Sequence, residues 1–275
     1  MPVTRAMGSR AGWAVDRRSW WARVDASAES ILAVHDAEID ALARDERLTL
    51  AAVWQKRGGL ELQVAGGFAA IASELLEHGA VQPVMALVGQ AVRDEVHHAE
   101  ISVELAARYR GDDVVWPAPA PVHIPKLAPA TGALRATLHM IAMCCINETV
   151  ACAILEAAFA QAKSPLVRAG IQSILSDEID HARAGWAHLA SPFVDAETKR
   201  ALPQWLKRLL AGKLDVLLQD ESPLPGEAFP HHGMLARETF REVVHAALDD
   251  VVLPGFARAG IDTEPARAWA TAGSS

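Results

Sequence analysis

Asp94-Glu95-Val96-His97-His98-Ala99 and Asp177-Glu178-Ile179-Asp180-His181-Ala182 are the two stretches on which the fold turns. Aligned, they share Asp, Glu, His and Ala at equal offsets and match Val with Ile beside the Glu, an internal repeat 83 residues apart. On a helix, Glu and His three residues apart stand on one face, so both reach the same metal ion. A single E-x-x-H is common on a solvated helix face. Glu242-Val243-Val244-His245 is read as such a chance occurrence, because Arg241 precedes it and no second copy accompanies it. Two copies with Asp before Glu point instead to the metal site of a bundle core, provided each sits on a long helix.

The surrounding sequence supplies those helices. Residues 47–78 are Ala/Leu-rich and stop at Gly79; 81–110 stop at Gly111; 130–163 close at Ser164-Pro165; 165–190 close at Ser191-Pro192. Each spans 26 residues or more, well beyond the usual globular helix, which favours a bundle. Gly58-Gly59 and Gly66-Gly67 weaken the first helix but let a neighbouring backbone come close. Short turns at Gly79 and Ser164 make antiparallel hairpins. The segment Gly111–Pro129 carries prolines 117, 119, 121, 125 and 129 and cannot be helical. As extended polyproline it covers roughly 55 Å, against about 45 Å for a 30-residue helix. It can therefore traverse the bundle and start the third helix at the far end. The expected fold is all-α: a ferritin-like four-helix bundle with a long crossover, plus flanking helices around 197–219, 233–252 and 263–271, the first two separated by the loop Asp220–Gly226.

Hairpin geometry selects the partners of the repeat, because residues equidistant from a turn face each other. Glu61 and Glu95 centre on the Gly79 turn, and Glu148 and Glu178 centre on the Ser164 turn; Glu74 and Glu156 centre inside helices and fail. The expected ligand set is Glu61, Glu95, His98, Glu148, Glu178 and His181. Four buried carboxylates are prohibitive unless neutralised, and two divalent ions supply the charge. Mixed oxygen and nitrogen ligation on four helices suits iron, or manganese, better than zinc. Asp94 and Asp177 are expected behind the ligands, fixing a His ring.

The pattern of Glu, about thirty residues, then Asp-Glu-x-x-His, given twice over 47–190, resembles the ferritin-like di-iron carboxylate superfamily and, within it, the para-aminobenzoate N-oxygenases. Acyl-carrier-protein desaturases and tRNA-modifying di-iron hydroxylases show similar spacing. The resemblance implies a reduced di-iron centre that binds O₂ and converts it to a strong oxidant. The N-oxygenases carry an additional His one turn before the last Glu, where this chain has Ile174. A ribonucleotide reductase radical subunit would place a tyrosine at Ser102; the single tyrosine is Tyr109. Bacterioferritin would place a haem-binding Met at Val96, and rubrerythrin would need cysteine pairs. Aldehyde-deformylating oxygenases share the ligand set.

Composition bounds the remainder. The chain has 275 residues, 51% hydrophobic but only 5% aromatic, with net charge −8. This disfavours β-sandwiches and barrels, excludes disordered and disulfide-stapled chains, and argues against nucleic-acid or anionic-membrane partners. Cys144, Cys145 and Cys152 form no C-x-x-C pair and suit a reducing cytoplasm. Arg17-Arg18 is not followed by an apolar stretch, so it is not read as an export signal. No run of 18 uncharged apolar residues occurs, so no membrane span is expected.

Other residues have weaker claims. His97 and Asp180 should point about 100° away from the ligand His. Cys145, Glu148 and Cys152 share a helical face, and Trp54, Phe68 and Leu155 lie within two turns of the ligands, as pocket wall or plain core. His123, His139, His188, His231 and His232 show no partner spacing. The whole chain, 1–275, is read as one domain: a metal bundle at 47–190, an N-terminal extension 1–46 and a C-terminal helical extension 191–275 that decides substrate access and any homodimer contact. The expected activity is that of a non-haem di-iron oxidase or oxygenase acting on a small organic substrate. It would take electrons from an external donor, since no G-x-G-x-x-G fingerprint occurs. A ferroxidase or iron-handling protein is the alternative.

Overall fold

A computed structural model describes residues 20–113, 115–118, 120–122, 124–219 and 229–267, with side chains undescribed at 213–219. Arg17-Arg18, His123, the Asp220–Gly226 loop and the end of the 263–271 segment lie outside these residues. Among the described residues every regular element is helical. Four long helices carry the repeat: α1 (Arg44–His78), α2 (Gln82–Arg110), α3 (Gly132–Gln161) and α4 (Pro165–Leu189). Beyond them lie α5 (Pro203–Gln219) and α6, which starts as Arg237–Ala247 and continues to residue 258.

Local chemistry sets the helix ends. The Glu46 carboxylate accepts the Ala43 N–H at 2.8 Å at the start of α1. Gly111 ends α2 with φ 84°, a left-handed conformation that glycine adopts freely. Ser164 accepts the Val167 N–H at 3.2 Å, with Pro165 in the first turn. Buried Asp36 accepts both the Ser164 hydroxyl at 2.6 Å and the Leu166 N–H at 3.0 Å, tying the N-terminal segment to the α3–α4 turn.

The proline-rich segment runs down α1. Gln55 donates to the Val115 carbonyl at 2.8 Å, Gly59 faces Pro117, Gly66 faces Val122, and Gly132 faces the His78 ring, which an added Cβ would meet at 4.0 Å. From Gln55 to His78, α1 rises about 35 Å, so the connection descends alongside it and delivers α3 beside the α1–α2 turn. Glu74 holds both Arg135 (2.9 Å) and His139 (2.6 Å), and His139 also donates to the Pro125 carbonyl at 3.0 Å. His139 is thus a clamp on this connection.

Two features were not expected. The middle of α3, Ile141–Glu148, is π-helical rather than α-helical. In addition, α3 is apolar and long enough to cross a membrane by length and composition, although 61% of its most apolar stretch is buried inside the protein. It packs against α4 on one side and the C-terminal helices on the other. Both extensions share cores with the long helices: Trp20, Trp21, Ile31 and Ile39 with Leu105 and Val167, and Leu206, Leu210 and Phe256 with Ile141 and Ile146.

Candidate metal centre

The two copies of the repeat face each other across the interior. Glu61, Glu95 and His98 can offer ligand atoms all within 4.8 Å of one another, and so can Glu95, Glu178 and His181. All five residues are buried. Glu95 belongs to both groups. The His181 Nδ1 lies 3.0 Å from Glu178 and 3.2 Å from Glu95; the His98 Nδ1 lies 3.4 Å from Glu95 and 3.7 Å from Glu178. Both rings therefore aim Nδ1 at the carboxylates.

The opposite ring nitrogens meet the two aspartates crosswise. His98 Nε2 is 3.2 Å from Asp177 on α4, and His181 Nε2 is 3.8 Å from Asp94 on α2. Each aspartate thus serves the His of the other helix. A partner there holds the imidazole orientation and leaves Nδ1 available.

Glu148, the sixth expected ligand, is buried beside Glu178 and accepts from Asn147 at 3.1 Å. Its oxygens do not join either close group of ligand atoms. Arg57, which sequence reading passed over, donates to Glu61 at 2.9 Å and stacks over Trp54 at 5.5 Å. Its i, i+4 spacing from Glu61 was the available signal. Phe68 stands against His181 with ring centroids 5.2 Å apart, so it does wall the centre; Leu155 packs in one core with Trp54.

The cysteine face differs from the expected one. Cys144, not Cys145, shares the field of Glu148, Glu178 and Glu95, while burial alone raises the Cys145 thiol far above its ordinary value. A π-helix advances about 80° per residue instead of about 100°. Counting back from Glu148, Cys144 stays about 40° from its direction at either pitch, whereas the π-helical pitch swings Cys145 from about 60° to about 120° away. Cys152 remains near Glu178 and Glu148. His97 pairs with Glu100 at 3.3 Å and Asp180 with Arg183, both away from the centre. Glu242 and His245 are exposed. His188 is buried against Thr137, and His232 against Tyr109.

The electrostatics are those of a crowded, buried acidic cluster able to accommodate a cation. Burial raises Glu61, against the pull of Arg57, and burial with Glu178 and Glu95 raises Glu148 well above the carboxylate range. Burial opposes charging of His98 and His181, yet Asp177 and Glu95 bring His98 to about 10, and Asp94, Glu178 and Glu95 bring His181 to about 12. Burial also works against charge on Glu95, but both imidazoles hold it below its usual value. Neither oxygen of Glu95 nor Nδ1 of His98 has a well-aligned hydrogen bond. Such fully buried orphan atoms are costly unless something binds them. Carboxylate oxygens plus imidazole nitrogens form a donor set that suits first-row divalent metals.

The class that fold and site define is thus an all-helical protein with a buried carboxylate–histidine cluster able to hold metal. No protein-family model, curated protein or solved structure matches the chain.

Proposed function

We propose that the chain is a ferritin-like di-iron protein: a four-helix bundle with a long crossover that uses O₂ to oxidise a small organic substrate. The observation that carries this reading is the pair of facing Asp-Glu-x-x-His copies, with Glu95 common to two ligand groups and each Asp on the opposite His. A shared carboxylate between two three-residue groups suits a pair of ions better than one.

Glu61, Glu95 and His98 would hold one ion, and Glu95, Glu178 and His181 the other, with Glu148 beside the second. A pair of ferrous ions supplies the electrons that O₂ chemistry requires. The protein's part is positional. Asp177 accepts the Nε2 proton of His98, and Asp94 lies 3.8 Å from Nε2 of His181 as its nearest opposite charge, so both rings turn Nδ1 inward. Glu95 and Glu178 balance charge from the centre of the cluster. Phe68, Ile174 and Cys144 close the interior with apolar surface and exclude water. Ile174 supplies no nitrogen, so the donor set ends at two imidazoles. An external reductant and a small organic substrate complete the reading, with manganese as the alternative metal.

The test is anaerobic titration with ferrous iron, followed by O₂ addition with visible absorption and O₂ uptake recorded. Two irons per chain and a transient absorption band support the proposal. Continuous turnover of many irons per chain into mineral refutes it in favour of iron storage.

A further inference from the structure

The single tyrosine of the chain sits in an unusual place. Tyr109 is fully buried, three turns beyond His98 on α2. Its hydroxyl is 2.8 Å from Nδ1 of His232, itself only 4% exposed, with the rings edge to face at 5.7 Å. The indole N–H of buried Trp54 lies beside the same phenol and has no well-formed hydrogen bond. Trp54 stacks against Arg57, and Arg57 binds Glu61 of the metal centre at 2.9 Å. Trp54, Arg57 and Glu61 stand on one face of α1, the first and last separated by about 10 Å of helical rise.

Each part of this chain of contacts has a chemical use. Burial lowers His232 below the ordinary histidine value, so its ring is neutral at pH 7 and can take a proton. Burial pushes the Tyr109 phenol well above 10, so it keeps its proton until an electron leaves. The loop bearing His232 is held in place: the His231 carbonyl accepts the Lys163 N–H at 2.9 Å and the Ser164 N–H at 3.2 Å. A structural hydrogen bond would need none of this alignment with an indole and the ligand helix.

We infer that Tyr109, with His232 as proton acceptor and Trp54 as relay, is a one-electron redox site wired to the metal centre. The inference rests on the oxidative reading above for its oxidant, a one-electron oxidant generated from O₂ at the centre. That oxidant takes one electron from Tyr109 by way of Trp54. The phenolic O–H bond breaks, its proton passes to His232 Nδ1, and a neutral phenoxyl radical and an imidazolium remain. Return of one electron from the external reductant and of the proton from His232 restores the pair. The site therefore buffers the centre against an oxidising equivalent that finds no substrate.

The test begins with metal-free protein, oxidised by laser flash with ruthenium tris-bipyridine and a cobalt(III) quencher, then frozen for EPR. The expected product is a tyrosyl spectrum that narrows when the protein carries ring-and-β-deuterated tyrosine and forms more slowly in D₂O. Wild-type protein suffices for this, so a variant that fails to fold leaves the outcome readable. Tyr109→Phe should abolish the signal, and His232→Gln should lower its yield by about tenfold or more. Tryptophan radicals alone in the wild type, or an unchanged yield in His232→Gln, overturn the inference whatever the metal does. A second arm adds O₂ to ferrous-loaded protein and freeze-quenches. A tyrosyl signal there supports the link. Its absence while O₂ is consumed overturns the link, whereas failure to consume O₂ overturns the oxidative reading instead.

Discussion

Replacing Gly185 with alanine tests whether α3 and α4 are held as closely as the metal centre requires. A Cβ at 185 would stand 2.5 Å from the Cβ of Cys144, 2.8 Å from the Cys145 sulfur and 2.9 Å from the Cys145 backbone nitrogen. Carbon atoms need about 3.5–4 Å. Two of the three neighbours are a Cβ and a backbone atom, which no rotamer change can move, so the helices must part by about 1 Å. Overpacking of this kind costs about 1–3 kcal/mol, and alanine returns up to about 1 kcal/mol of helix propensity. The net loss is about 0–2 kcal/mol, a fall in Tm of up to about 8 °C for a chain of this size. Gly89 is the control: it lies exposed on α2 with nothing within 4 Å of an added Cβ. There alanine should raise Tm by about 2–4 °C. Thermal unfolding followed by circular dichroism measures both. Glu178 and His181 lie within two turns of residue 185, so Gly185→Ala should also weaken metal binding in calorimetry while Gly89→Ala leaves it unchanged. A Gly185→Ala protein as stable as Gly89→Ala, with undiminished metal affinity, would refute the packing argument.

Three further outcomes are expected. Glu148→Ala should abolish loading of a full pair of metals; a variant that still binds two irons by titration places Glu148 outside the ligand set. In metal-free protein His98 is raised to about 10 and His181 to about 12 by their carboxylates, so their contribution is complete below about pH 6.5 and lost as pH rises through the folded values. Tm of the metal-free protein should fall from pH 7 to 10, and metal should remove that slope, because bound metal needs the neutral imidazoles and its affinity rises with pH. Burial lowers His188 to about 4; the unfolded chain then binds protons more readily below pH 6.5, so stability should fall between pH 6.5 and 4, and His188→Gln should flatten that limb of the acid titration.

The long helices were legible in the sequence to within three residues at each end, because alanine-rich periodicity and hard stops at Gly79, Gly111 and Pro165 are local signals. The path of the proline-rich segment was legible for a similar reason. Five prolines forbid a helix, and stepwise contacts from Gln55 to His78 follow α1, at roughly 2 Å of rise per residue rather than the roughly 3 Å of full polyproline extension. The π-helical turn in α3 was not legible. Ile141–Glu148 carries no Gly or Pro to mark a break, and this turn is where Gly185 lets Cys144 and Cys145 approach α4 closely. At the α-helical pitch Cys145 falls about 60° from Glu148; the π-helical pitch turns it about 120° away, while Cys144 stays within about 40°. The fit of His232 onto Tyr109 was equally invisible, since it joins residues 123 positions apart through a loop with no motif.

The crossed aspartates explain why the repeat has meaning only as a pair. On its own helix, Asp94 precedes Glu95 by one residue and points about 100° from it, so it cannot serve His98 behind the same Glu. The pairs Asp94–His181 and His98–Asp177 share one midpoint in the numbering, as antiparallel neighbours require. A single D-E-x-x-H helix would thus carry a ligand pair with an unheld ring and an aspartate facing nothing. A second copy on an antiparallel partner sets each Asp beside the opposite His, as a hydrogen bond at His98 and as a 3.8 Å charge contact at His181. Asp177→Asn should therefore disturb the ring of His98 on the other helix and leave His181, four residues away on its own, in place. The coupling runs across the interior and not along the chain, which is the physical content of an 83-residue repeat that motif spacing alone does not convey.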